Sequence, residues 1–192
     1  MATNVLTLIG SLRRDSTNRQ LAEATIANSP AGMAVEIFEG LETLPFYNED
    51  IDVEGQVPFS AIKLRTAAEA ADALLLVSPE YNGTIPAVLK NAIDWLSRPF
   101  GASAVSNMPT AVIGTAAGRS GGKGSQDEAR KAVDIAGGYV LETAKLSIPN
   151  SLVRFAEVHP KDDAEVVGQV TEVLERIRTA TEECRKQLVE SN

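Results

Sequence analysis

Ala73-Leu74-Leu75-Leu76-Val77 is the most continuously apolar short run in the chain. A strand with one wet face alternates apolar and polar residues, so five apolar residues in succession suit a strand covered on both faces, at the centre of a parallel sheet. The rest of the sequence keeps to that pattern. Short β-rich runs at Val5–Ile9, Val35–Phe38, Thr110–Ile113 and Tyr139–Leu141, the last with Leu146–Ile148 behind it, alternate with helical patterns. The helices are expected at Asn18–Asn28, Ser60–Ala71, Thr84–Ser97 (Pro86 in its first turn, Pro99 past its end) and from the glycine-dense segment to Ala136. A final helix carries Val166, Val170, Val173, Leu174, Ile177, Cys184 and Leu188 on one stripe. Five βα units in this order predict a doubly wound α/β fold, whose right-handed crossovers bring every βα loop to one sheet edge.

The chain has 192 residues, which predicts a single domain over 1–192. Its net charge of -8 argues against nucleic acid or an anionic membrane as partner. With one cysteine, Cys184, and one histidine, His159, neither an intrachain disulfide nor a metal site is expected. Met1-Ala2-Thr3-Asn4 leads straight into a strand-like run, and no stretch approaches the roughly 20 apolar residues of a membrane helix. The expectation is a cytoplasmic protein. From Glu39 to Pro58 the chain makes a long excursion punctuated by Gly40, Pro45, Gly55 and Pro58, a length that points to function or an interface.

Three loops of the predicted sheet edge carry the chemistry. Gly10-Ser11-Leu12-Arg13-Arg14-Asp15-Ser16-Thr17-Asn18 offers hydroxyls, an amide and guanidinium groups at the start of a helix. It matches neither G-x-G-x-x-G nor the triphosphate loop, and suits a phosphomonoester held by Ser11, Arg13, Ser16 and Asn18. An ordinary loop with a Ser/Thr/Asn cap is the competing reading. Pro79-Glu80-Tyr81-Asn82-Gly83-Thr84-Ile85-Pro86 has an aromatic and a turn-forming Asn-Gly pair. Gly114 to Gly124 holds five glycines in eleven residues, which lets backbone approach a flat ligand. A phosphate site beside a slot for a planar ring describes a mononucleotide such as flavin mononucleotide (FMN), with backbone N–H groups around Asn82 and Gly83 facing the ring edge.

These segments resemble a known family. G-S-x-R-x-x-S-x-N after the first strand, P-E-Y-N-G-[ST]-I-P followed by Leu89-Lys90-Asn91-Ala92-Ile93-Asp94-Trp95, and G-x-x-G-G after the fourth strand are similar to the NAD(P)H-dependent FMN reductases, which include quinone, chromate and azo reductases. The resemblance implies a flavodoxin-like five-stranded parallel sheet of order 2-1-3-4-5. It also implies that Ser11, Arg13, Ser16 and Asn18 hold the FMN phosphate, that Pro79, Glu80, Tyr81, Asn82 and Gly83 wrap the isoalloxazine, and that Gly114, Gly118 and Gly121 sit on its other side. Dimers or tetramers are implied too, with helix Thr84–Ser97 and the Glu39–Pro58 excursion as candidate contacts. Many members carry an arginine near Lys123-Gly124-Ser125-Gln126, where this chain has Gly124.

The implied reaction moves hydride from NADPH or NADH through flavin N5 to a quinone, azo compound, metal oxyanion or free flavin, so no general acid or base is assigned. Glu80 is read as orienting its loop or meeting a neighbouring subunit, Tyr81 as stacking on or shielding the ligand, and Asp94 and Trp95 as core or interface. Arg119 and Lys123 are candidates for cofactor phosphates or plain solvated charges. His159 is read as a surface residue and Cys184 as a core thiol. The alternatives are a flavodoxin-type electron carrier, whose phosphate loop is typically an uncharged T-x-T-G-x-T where Arg13 stands here, and a flavin-binding regulatory module, suggested by the acidic excursion.

Overall fold

The computed structural model describes residues 2–190, the side chain of Leu188 excepted. Five strands, β1 (Thr3–Ile9), β2 (Met33–Ile37), β3 (Ala73–Val77), β4 (Pro109–Thr115) and β5 (Tyr139–Ile148), form one parallel sheet of order β2-β1-β3-β4-β5. The helices are α1 (Thr17–Ala27), α2 (Phe59–Glu69), α3 (Ala87–Leu96), α4 (Lys123–Ile135), a single-turn α5 (Ser151–Arg154) and the long α6 (Ala164–Glu190). Strand order reverses between β1 and β3, which opens a crevice at the carboxyl ends of those strands.

The apolar run of β3 is buried along its whole length. Because side chains alternate across a strand, Leu75 and Val77 enter one core with α1 and α6, while Leu74 and Leu76 enter the other with α2, α3 and α4. Val166, Val170, Val173, Leu174 and Ile177 are buried as their stripe predicts. Cys184 is only half-buried, and the side chain of Leu188 lies outside the described residues. No helix among the described residues is long and apolar enough to cross a membrane.

Three local details differ from expectation. Pro86 is the extended residue before α3, at φ -60° and ψ 139°, rather than part of its first turn. The two fifth-strand pieces are one strand interrupted by a bulge: Thr110 pairs with Val140 but Val112 with Lys145, so two steps on β4 match five on β5. The excursion is ordered against α3. Pro45 O accepts from Asn91 Nδ2 (3.0 Å) and Trp95 Nε1 (2.8 Å), Asn91 Oδ1 accepts from Tyr47 N (2.8 Å), and Tyr47 meets Trp95 edge-on at 5.0 Å. Trp95 is therefore core. Asp52 completes the strap by taking both arms of Arg65 at 2.7 and 2.8 Å, and this hydrogen bonding holds its carboxyl below the usual aspartate range.

Candidate active site

β1 ends at Ile9, and Gly10 passes close beneath the next loop: a Cβ there would lie 3.1 Å from both Pro79 Cδ and Pro86 Cγ. The chain then turns into α1, whose N-cap is Ser16, with Oγ accepting from Arg19 N at 3.3 Å. The N–H groups of Thr17 and Asn18 in the first turn donate to nothing among the described residues. They are the orphan donors that every helix start presents, at the positive end of the dipole. Arg13 borders the same space and has no ion-pair partner among the described residues.

Asn18, the fourth residue expected at the phosphate, lines the cleft and also serves the fold. It is buried, and its carboxamide is committed: Nδ2 donates to Thr115 O at 2.9 Å and Oδ1 accepts from Thr115 N at 3.0 Å. The side chain closes the end of β4 as a further strand would, locking the loop after β1 to the loop after β4. What Asn18 can offer an anion is its backbone N–H and the second hydrogen of Nδ2.

After β3, Tyr81 and Thr84 exchange backbone hydrogen bonds of 3.2 and 3.1 Å around Asn82 (φ 53°) and Gly83 (φ 79°). Two consecutive positive φ values make a tight primed hairpin turn, the conformation that Asn-Gly favours. The N–H groups of Asn82 and Gly83 have no acceptor among the described residues. Tyr81 is 49% exposed, and its hydroxyl lies 3.4 Å from Ser11 Oγ, bridging the hairpin to the phosphate loop. Glu80 borders this space while its carboxylate is engaged by α4. Its Oε2 accepts from Ser125 N at 3.1 Å, supplying the cap that α4 lacks because its N-cap is Gly122. This is the loop-orienting role, with a specific partner.

The glycines after β4 do different work from that expected. Gly114 is a buried β4 residue, and a Cβ there would sit 2.2 Å from Ser78 O; it is glycine because two strand ends touch. Gly121 (φ 63°) lies under the end of β5, with a Cβ landing 2.8 Å from the Ser147 carbonyl carbon. Only Gly118, exposed and with nothing within 4 Å of a Cβ, leaves open space. The residues this loop presents to the cleft are Thr115, Ala116 and Ala117.

Together these loops enclose a cleft of about 240 Å³, bordered by Ser11, Arg13, Ser16, Thr17, Asn18, Pro79, Glu80 and Tyr81 on the predicted sides. Ser151 and the exposed Leu152, from the start of α5, complete a wall the motifs did not reveal. Asn150, left-handed at φ 55°, turns the chain after β5, and Ser151 N donates to Ala116 O at 3.0 Å. The only sequence signal was the Pro149-Asn150-Ser151 turn.

A larger cavity of about 920 Å³ lies at the other end of the sheet, where β4 and β5 begin, bordered by Asn107, Tyr139, Cys184 and Arg185. Burial first, and Glu183 second, push the Cys184 thiol up, so it stays protonated and unreactive at neutral pH. Arg185 is engaged by Asp72 at 2.7 Å.

A family model described as NADPH-dependent FMN reductase matches residues 3–152, a span that holds all three loops. A quinone reductase of Pseudomonas putida is 42% identical over 130 residues, covering 68% of this chain and 69% of that protein. An NAD(P)H-dependent FMN reductase of Pseudomonas aeruginosa is 37% identical over 153 residues, covering 80% and 78%. Among solved structures, the flavoenzyme NAD(P)H:(acceptor) oxidoreductase FerB of Paracoccus denitrificans superposes with a TM-score of 0.77 at 26% identity, over 93% of this chain and 99% of that one.

Proposed function

The chain belongs to the NADPH-dependent FMN reductase family, and from that premise we propose that the cleft between the loops after β1, β3 and β4 binds FMN and passes electrons from NAD(P)H to a quinone. The observation that carries this reading is the set of orphan α1 N–H groups of Thr17 and Asn18 beside Arg13, in a cleft bordered across from them by Pro79, Glu80 and Tyr81, the leg that leads into the Asn82-Gly83 turn. The α1 wall has the donor set of a phosphate, and the unengaged N–H groups of Asn82 and Gly83, next along the chain from Tyr81, suit the polar edge of a ring extending from the cleft. FMN, when bound, supplies the chemistry: its ring takes hydride at N5 from the nicotinamide and delivers electrons to the acceptor.

The residues bind, orient and shield. Arg13, Ser11, Ser16 and the N–H groups of Thr17 and Asn18 hold the phosphate. Asn82 and Gly83 donate to the ring edge, Pro79 and Tyr81 border the ring, and Ala116 and Ala117 are small enough to let it lie close. Glu80 holds the hairpin in place through α4. Azo compounds, metal oxyanions and free flavin are further acceptors compatible with an open cleft.

The same reading includes a homo-oligomer. Phe46 on the excursion and Phe59 at the start of α2 are 79% and 81% exposed, on neighbouring segments joined by the hydrogen bond from Ser60 Oγ to Thr43 O. Sedimentation showing only a monomer would refute this part.

The test is an absorbance spectrum of the FMN-loaded protein before and after anaerobic NADPH. Bleaching of the flavin band, followed by reoxidation on adding a benzoquinone, is expected. A flavin that stays oxidised points to an electron carrier, and bleaching without turnover of quinone points to a regulatory module.

A further inference from the structure

Ser125 and Gln126, in the first turn of α4, are both polar and both wholly buried. Burying such groups is costly unless each finds partners, and theirs are spread over three parts of the chain. Ser125 Oγ lies 2.7 Å from Ser78 Oγ and donates to Pro79 O at 2.8 Å, while Ser125 N donates to Glu80 Oε2. Gln126 Nε2 donates to Gly121 O at 3.1 Å, and its Oε1 accepts from Ser147 Oγ at 2.7 Å. One helical turn thus grips the loop after β3, the loop after β4 and the end of β5 together.

Two neighbours support the same arrangement. Gly124 keeps the Glu80 path open, because a Cβ there would lie 3.0 Å from Glu80 Oε2 and 3.2 Å from Gly83 O. One turn further along, Glu128 accepts from Thr84 Oγ1 and from Ile85 N, bracing the far leg of the hairpin. The carboxylates of Glu80 and Glu128 therefore tie the hairpin to α4 on both sides of its turn. None of these α4 side chains borders the cleft itself.

We infer that Ser125 and Gln126 are positioning residues for the flavin cleft, fixing the Pro79–Gly83 hairpin relative to the loop after β4 and so setting the grip on the ring. The inference rests on the cleft being the FMN site. The phosphate loop has a tie of its own, Asn18 to Thr115, besides the Tyr81–Ser11 contact with the hairpin, so loosening α4 acts chiefly on the ring wall.

The experiment compares FMN and riboflavin titrations of wild type, Ser125→Ala and Gln126→Leu, with Val173→Ala, a remote α6 core variant, as the stability control. Each α4 variant is expected to weaken both flavins by about tenfold, since each loses one or two buried hydrogen bonds. The FMN-to-riboflavin ratio stays at its wild-type value, and the bound-flavin absorbance maximum shifts. Val173→Ala lowers Tm but keeps wild-type affinities. Wild-type affinities in Ser125→Ala and Gln126→Leu despite a lower Tm would overturn the inference, as would a loss confined to FMN. Should Gln126→Leu fail to fold, Ser125→Ala, which removes one oxygen, decides alone. Wild-type protein that binds neither flavin overturns the site reading, and this inference with it.

Discussion

Asn18 and Thr115 stand 97 residues apart in sequence, yet the carboxamide of one satisfies both backbone groups of the other. This pair joins the loop that presents orphan N–H groups to the loop that lines the cleft floor. Asn18→Ala leaves a buried N–H and C=O unpartnered, and is expected to cost about 2–4 kcal/mol of stability in urea unfolding. Asn18→Asp is no rescue at neutral pH, because a carboxylate accepts from Thr115 N but repels Thr115 O. Facing a carbonyl raises the pKa of that carboxyl, so Asn18→Asp should regain stability relative to wild type as pH falls and the carboxyl becomes a donor. A deficit in Asn18→Asp independent of pH would contradict this.

The glycines after β4 separate steric need from open space. Gly114→Ala drives a Cβ to within 2.2 Å of Ser78 O, so one strand end must move, and a loss above about 2 kcal/mol is expected. Gly118→Ala meets nothing within 4 Å and should change Tm little. Calorimetric scans of the two variants check the contrast, and equal Tm values would refute it.

The strap over α3 depends on an ionised Asp52. Hydrogen bonding from Arg65 holds its folded pKa below the unfolded value of about 3.9, so the stabilisation is present above that pH and fades as pH falls through the folded pKa. Asp52→Asn should therefore be about 1–3 kcal/mol less stable than wild type at pH 7. The gap should narrow below about pH 4. Urea midpoints at pH 7 and pH 3 measure it, and a constant gap would contradict the account.

Periodicity and composition sufficed for the sheet because β3 has no polar residue to accommodate, and the Asn-Gly pair announced its turn through backbone sterics alone. The roles of Asn18, Gly114 and Gly121 were not readable in the same way. Each is set by a partner brought close only by folding: Thr115 for Asn18, Ser78 for Gly114, Ser147 for Gly121. A glycine packed against a carbonyl and a glycine facing open space are identical letters. β5 looked like two pieces because its bulge places Glu142 and Thr143 in the middle of the strand, where an apolar run was expected. Ser151 and Leu152 carried no motif, since they line the cleft by position after a left-handed Asn150. The Glu80 partner could be sought from sequence only by noticing that α4 begins on glycines and has no cap of its own.

The central claim is that the Gly10–Asn18 loop holds a phosphate beside a ring-binding hairpin, and among the described residues Arg13 is the only cation lining the cleft. Isothermal titration of FMN and riboflavin into wild type and Arg13→Ala tests it most directly. Wild type should bind FMN far more tightly than riboflavin. Arg13→Ala should lose about 10–100-fold in FMN affinity, the worth of one charge-assisted contact, while its riboflavin affinity stays unchanged. Equal affinity of the wild type for the two flavins, or an Arg13→Ala variant that keeps full FMN affinity, would contradict the account.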